Sequence, residues 1–132
     1  MATWLKDNKE ILLIISFFAL LSALFYSPNL WWDPAVFIGM GKYAWSLGNV
    51  GLWEPARPVG LPIIIGALWK MGLNPVLFGT VFNIVISMIL VYVFYLLIKE
   101  ITNKKTSLLF SAIFILNYTF VFYSSIFLTD MI

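Results

Sequence analysis

The sequence contains no cysteine and no histidine. The first absence excludes disulfide frameworks, thiolate metal sites and cysteine nucleophiles. The second excludes imidazole zinc ligands and Ser-His-Asp triads. Charge is also scarce: charged residues are 11% of the 132-residue chain, against about a quarter in ordinary soluble domains. A chain so poor in charge and 62% hydrophobic is neither a soluble globular domain nor a disordered one. Its net charge of +2 is too small to suggest a nucleic-acid partner. Any chemistry must rest on carboxylates, cations, hydroxyls and backbone.

What is present is apolar sequence gathered into runs, the mark of an integral membrane protein. A spanning helix needs about 20 mostly apolar residues. The first such run is 11–27, extended by the aromatic anchors Trp31 and Trp32. A cleaved signal sequence is its rival. Bulky Leu24, Phe25 and Tyr26 close the run without a small-residue cleavage site, so it reads as a retained helix. Ser16, Ala19 and Ala23 offer it a small-residue packing face. The second span is 75–98, where Pro75 is suited to the first helical position. The third is 107–128. The stretch 60–73 is apolar but short, with Pro62 near its start and Lys70 near its end. Only Asn74 separates it from the next span, so it reads as an interfacial or re-entrant helix. The expected fold is therefore an all-α, polytopic, single membrane module with about three transmembrane helices.

Cation placement gives the orientation. Lys6, Lys9, Lys99, Lys104 and Lys105 share one side of this topology, and Lys42, Arg57 and Lys70 share the other. The positive-inside rule puts the amino terminus and the loop 99–106 in the cytoplasm, with the protein in the cell membrane. Residues 28–74 then form an outer loop, and Asp130 emerges on the same outer side. Within the spans, Thr80, Asn83 and Ser87 share one helix face, and Ser111 and Asn117 lie in the third span. Such groups usually join helices to one another.

The outer loop carries the chemistry. Asp33-Pro34 suits a helix start, with Asp33 as N-cap. Val36, Met40, Tyr43, Ala44 and Leu47 then recur at helical spacing, which predicts an amphipathic surface helix over 34–47 ended by Gly48-Asn49. Beyond it, Trp53-Glu54-Pro55-Ala56-Arg57-Pro58-Val59-Gly60-Leu61-Pro62 cannot form a regular helix throughout. It reads as a stiff turn presenting Glu54 and Arg57.

An aspartate just after the first membrane helix, an amphipathic loop helix, an Arg-Pro-x-Gly-x-Pro turn and a second juxtamembrane helix together resemble the first outer loop of GT-C glycosyltransferases. These polytopic enzymes use polyprenyl-phosphate sugars; protein O-mannosyltransferases and lipid A aminoarabinose transferases are examples. Tyr123-Ser124-Ser125 followed by Leu128-Thr129-Asp130-Met131 is similar to the family's second acidic loop motif. The resemblance is to the amino-terminal part of such an enzyme. It implies that Asp33 is the catalytic base or a ligand at the reacting centre. It implies that Arg57 lies near the lipid phosphate, and that Asp130, with Asp33, helps hold a divalent metal. With only oxygen ligands on offer, that metal would be Mg²⁺ or Mn²⁺. Pro34 stands where many relatives carry a second acid, and Phe37 where a tyrosine is common.

Each residue also has a structural reading. Asp33 can simply cap its helix, and Arg57 can anchor to lipid headgroups. Glu54 suits a solvated loop acid or a partner for Arg57, as well as substrate contact. Lys42 and Lys70 suit snorkelling anchors, with Lys42 also a candidate for donor contact. The expected function is transfer of a sugar from a polyprenyl-phosphate donor to an acceptor hydroxyl at the outer face. The alternative is a non-catalytic membrane module or small subunit that packs with partner helices.

Overall fold

A computed structural model of the chain describes residue 4, residues 7–28 and residues 32–127. Every regular element among them is an α-helix: α1 (Lys9–Leu24), α2 (Trp32–Trp45), α3 (Gly60–Lys70), α4 (Pro75–Ile101), α5 (Lys104–Ile115) and α6 (Tyr118–Ser125). By length and composition, α4 is able to cross a membrane, and α5 with α6 makes a second candidate if the bent pair is one span. The 16 residues of α1 rise about 24 Å, less than the ~30 Å of a hydrocarbon core. Its expected extension does not follow, because Trp32 is the first residue of α2.

The chain divides into two compact units. One comprises residues 1–26 and 84–125; the other comprises 27–83 and 126–132.

The first unit is held by aromatic and aliphatic packing. Ile11, Ile15 and Phe18 of α1 meet Val91 and Tyr95 of α4, Ile115 of α5 and Val121 of α6. Phe18 stacks on Phe120 with ring centroids 5.0 Å apart, and Phe114 lies 4.5 Å from Phe120. The buried stripe of α1 is therefore Ile11, Ile15, Phe18 and Ser22. The expected small-residue face is not used: Ser16 and Ala23 are exposed. Large rings fill the space that close backbone approach would have removed. The outward face, with Leu13, Phe17, Leu20 and Leu24, is as apolar as the inward one.

Serines on the inner faces of α5 and α6 satisfy themselves within their own helices, whereas the Ser22 hydroxyl of α1 is buried without a hydrogen-bond partner among the described residues. Ser107, Ser111 and Ser125 donate to carbonyl oxygens three or four residues earlier. Ser124 also hydrogen-bonds Ser87 across helices at 2.9 Å. This is the joining role expected of Ser87. One end of the unit carries charge. Lys104 Nζ lies 3.0 Å from Glu10 and donates to the Asp7 carbonyl at 2.9 Å, so α1 and α5 start at the same end.

The expected helix over 107–128 is broken. α5 and α6 meet at a 62° bend. Leu116 and Asn117 close α5 with short backbone bonds to Ile113 and Phe114, and the Asn117 side chain then accepts the Phe120 N–H at 3.1 Å. Asn117 is thus the cap of a new helix rather than a group joining two spans. Asn74 and Asn103 do the same for α4 and α5.

In the second unit α2 and α3 cross at two glycines. A Cβ on Gly41 would stand 2.5 Å from the Pro62 carbonyl oxygen and 2.8 Å from the Gly66 nitrogen. Trp45 Nε1 donates to the Ile63 carbonyl at 2.8 Å, and Lys70 Nζ to the Trp45 carbonyl at 3.0 Å. α3, at 11 residues, is too short to span. Gly72, with φ of 79°, closes it through bonds from Gly72 to Trp69 and Leu73 to Leu68. α2 ends the same way, with Leu47 to Ala44 and Gly48 to Tyr43, but here the left-handed residue is Leu47 at φ 55°.

The predicted stripe of α2 is half right. Val36 and Met40 are buried, while Tyr43 and Leu47 are exposed. Phe37, Ile38 and Gly41 are buried in their place, because α3 covers one side and the proline loop folds back over another. Leu52 donates to the Gly39 carbonyl at 3.2 Å to hold that loop down. Thr80 and Asn83, at the start of α4, are buried as expected; Asn83 donates to the Ile126 carbonyl at 3.0 Å. Phe127 packs with Ile38 and Ile65 and against Gly79.

Candidate functional site

Three of the expected site residues meet in the second unit. Asp33 sits in the first turn of α2, where a negative charge also complements the helix dipole. Arg57 sits beyond the turn at Pro55-Ala56, whose backbone closes through Arg57 N–H to the Glu54 carbonyl at 3.3 Å. Arg57 Nη2 lies 2.6 Å from Asp33 Oδ1. Its Nε lies 3.2 Å from Glu54 Oε2, close enough for an ion pair but off the line of a hydrogen bond. Asp33 is the second residue of α2 and not its expected N-cap, because the helix begins at Trp32; its carboxylate is spent on a cation across the loop.

One participant was visible in the sequence only as a departure from the resembling family. Phe37 is four residues after Asp33, so the two share a helix face. The Arg57 guanidinium carbon lies 5.5 Å from the Phe37 ring centroid. The ring is 6% exposed, so it presents a fixed face.

The electrostatics follow from this geometry. The hydrogen bond to Asp33 raises the Arg57 pKa above its ordinary value; desolvation opposes this, and Glu54 adds to it. Arg57 therefore stays charged at any pH the fold survives. The Arg57 side chain is 24% exposed, and those of Asp33 and Glu54 are 40% and 41% exposed, so all three can be reached from outside. Guanidinium offers five donors in a plane. Two carboxylate contacts leave it able to hold a further anionic or hydroxyl oxygen. The carboxylates can accept protons from hydroxyls.

Lys42 is not brought to this group. It lies two and a half turns further along α2, with its ammonium 5.7 Å from the Trp69 ring centroid. Asp130 lies outside the described residues. Among the described residues no three acidic side chains come together, and Asp33 and Glu54 are already paired with a guanidinium, a cation that takes the place of a divalent ion and would repel one. These residues by themselves do not fit a metal site, and no step is derived through one. Comparison of the chain with protein-family models, with curated proteins and with solved structures finds no match.

Proposed function

We propose that this chain acts in sugar transfer from a polyprenyl-phosphate donor to an acceptor hydroxyl at the outer face of a membrane, as its resemblance to GT-C enzymes implies. The observation that supports this is the contact of Asp33 with Arg57 at 2.6 Å. The two residues to which the resemblance gives complementary roles stand together. In the reaction the acceptor hydroxyl attacks the anomeric carbon and gives its proton to Asp33. The bond from that carbon to the phosphate oxygen breaks, and the phosphate leaves with the electron pair. Arg57 faces the charge that develops there. A carboxylate has two oxygens, so Asp33 can hold Arg57 with one and take the proton with the other.

The accompanying topology has three spans, α1, α4 and the bent pair α5–α6, with a cytoplasmic amino terminus. The Glu10–Lys104 ion pair supports it, since it joins two segments assigned to the cytoplasmic side. A second reading, a non-catalytic module that packs with partner helices, is favoured by one feature: Arg57 is already matched by two carboxylates, as a structural clasp would be. Sugar transfer by folded Asp33→Asn protein separates the two. The proposal expects a loss of about a hundredfold or more; wild-type transfer would leave the clasp. Impermeant labelling of cysteines placed at Trp53 and Asn103 tests the topology. Labelling at Asn103 but not at Trp53 in intact cells would overturn it.

A further inference from the structure

The contact between Arg57 and Phe37 is not explained by the pairing of charges. A guanidinium held by one carboxylate at Nη2 and approached by another at Nε can still tilt about both contacts. A ring face removes that freedom. Asp33 and Phe37 lie on one face of α2, and Arg57 reaches across from the proline loop to touch both, at 2.6 Å from Oδ1 and 5.5 Å from the ring centroid. The ring is itself buried, as are Val36, Ile38 and Met40 on the same helix. A desolvated ring attracts a cation more strongly than an exposed one, and a planar guanidinium, unlike an ammonium, takes an orientation from it.

We propose that Phe37 is a positioning residue: its ring face sets the plane of the Arg57 guanidinium so that the fork meets Asp33 on one edge and presents its remaining donors to an oxyanion. The reactive half of this statement rests on the reading of Asp33 and Arg57 as the reacting pair; the geometric half does not.

Arg57 is the only arginine in the sequence, so ¹⁵N-arginine labelling gives a single guanidinium to observe. In full-length protein in lipid nanodiscs, wild type should show slowed rotation of the guanidinium and a ring-current shift of its protons. Phe37→Tyr keeps the ring face and should keep both signatures. Phe37→Leu keeps an apolar side chain and loses the face, so both should revert toward those of free arginine; Phe37→Met serves the same purpose should the leucine variant not fold. In the transfer assay the leucine variant should lose about tenfold in kcat with little change in KM, and the tyrosine variant should not. Unchanged arginine signals in Phe37→Leu would overturn the proposal. So would changed signals with an unchanged rate, in a protein whose transfer Asp33→Asn abolishes. Transfer insensitive to Asp33→Asn would sink the functional reading alone, and the arginine signals would still decide whether Phe37 orients Arg57.

Discussion

The two units are built on different principles. The first packs large against large: Phe18 on Phe120, Phe94 on Phe114 at 4.8 Å, and Tyr95 and Val91 fully buried. Its inner serines on α5 and α6 bond to their own helices, while, among the described residues, the Ser22 and Tyr95 hydroxyls are buried without a hydrogen-bond partner and its ion pair sits at its end. The second unit packs small against small, with Gly41 on Gly66, and holds a loop by a guanidinium between two carboxylates. The contrast teaches where chemistry can live. Ring-on-ring packing tolerates no opening. Close glycine contact fixes two short helices rigidly while leaving the loop between them free to carry Glu54 and Arg57.

The largest effect should come from the ring packing. Phe18→Ala removes a fully buried ring from the first unit and should cost about 3–4 kcal/mol of unfolding free energy in detergent. A loss under half that would mean the aromatic stack contributes little.

Next is the glycine crossing. Gly41→Ala forces backbone apart and should cost about 2–3 kcal/mol, whereas Gly60→Ala, with nothing within 4 Å of its Cβ, should stay within about 0.5 kcal/mol. Equal effects at the two positions would show that the second unit does not depend on the close crossing of Gly41 with Gly66.

A smaller effect of opposite sign belongs to Leu47. It holds the left-handed position at the end of α2 and is 92% exposed, so its side chain contributes little packing. Leu47→Gly should stabilise by about 1 kcal/mol, and a destabilisation would show that the side chain is needed there.

The smallest concerns the ion pair at the end of the first unit. Lys104 holds the Glu10 carboxyl below its ordinary 4.5, and Glu10 holds the Lys104 amine above its ordinary 10.5. A lowered carboxyl stabilises above its unfolded pKa and loses that effect as pH falls through the folded value. A raised amine stabilises below its unfolded pKa and loses that effect as pH rises through the folded one. The contribution should be level between about pH 4.5 and 10.5 and decline on both sides. Melting temperatures against pH should show Glu10→Gln removing the part of the acid-side decline that this carboxyl causes; an unchanged profile would mean that the pair contributes nothing measurable.

Much of this was legible in the sequence. The helical class, the start of α4 at Pro75, the shortness of α3 and the Thr80–Asn83–Ser87 face follow from composition and spacing. Asp33, Glu54 and Arg57 were marked by being rare charges in an apolar chain. The rest depended on contacts that no local pattern reveals. Asn117 caps α6 only because the chain turns there; within an apolar run it looks like an interhelical group. Phe37 is one aromatic among many until Arg57 lies over it. The packing face of α1 was misread because small residues suggest close approach, while the neighbours that arrived were phenylalanines.

The central claim is that Asp33 and Arg57 work as one functional unit. Its most direct test is a double-mutant cycle on kcat/KM for sugar transfer, using Asp33→Asn, Arg57→Lys and the double variant. Residues acting as a unit are strongly non-additive. The double variant should be about as slow as Asp33→Asn alone. Losses that multiply would contradict it, because they would mean that the two residues, though paired at 2.6 Å, serve the reaction separately.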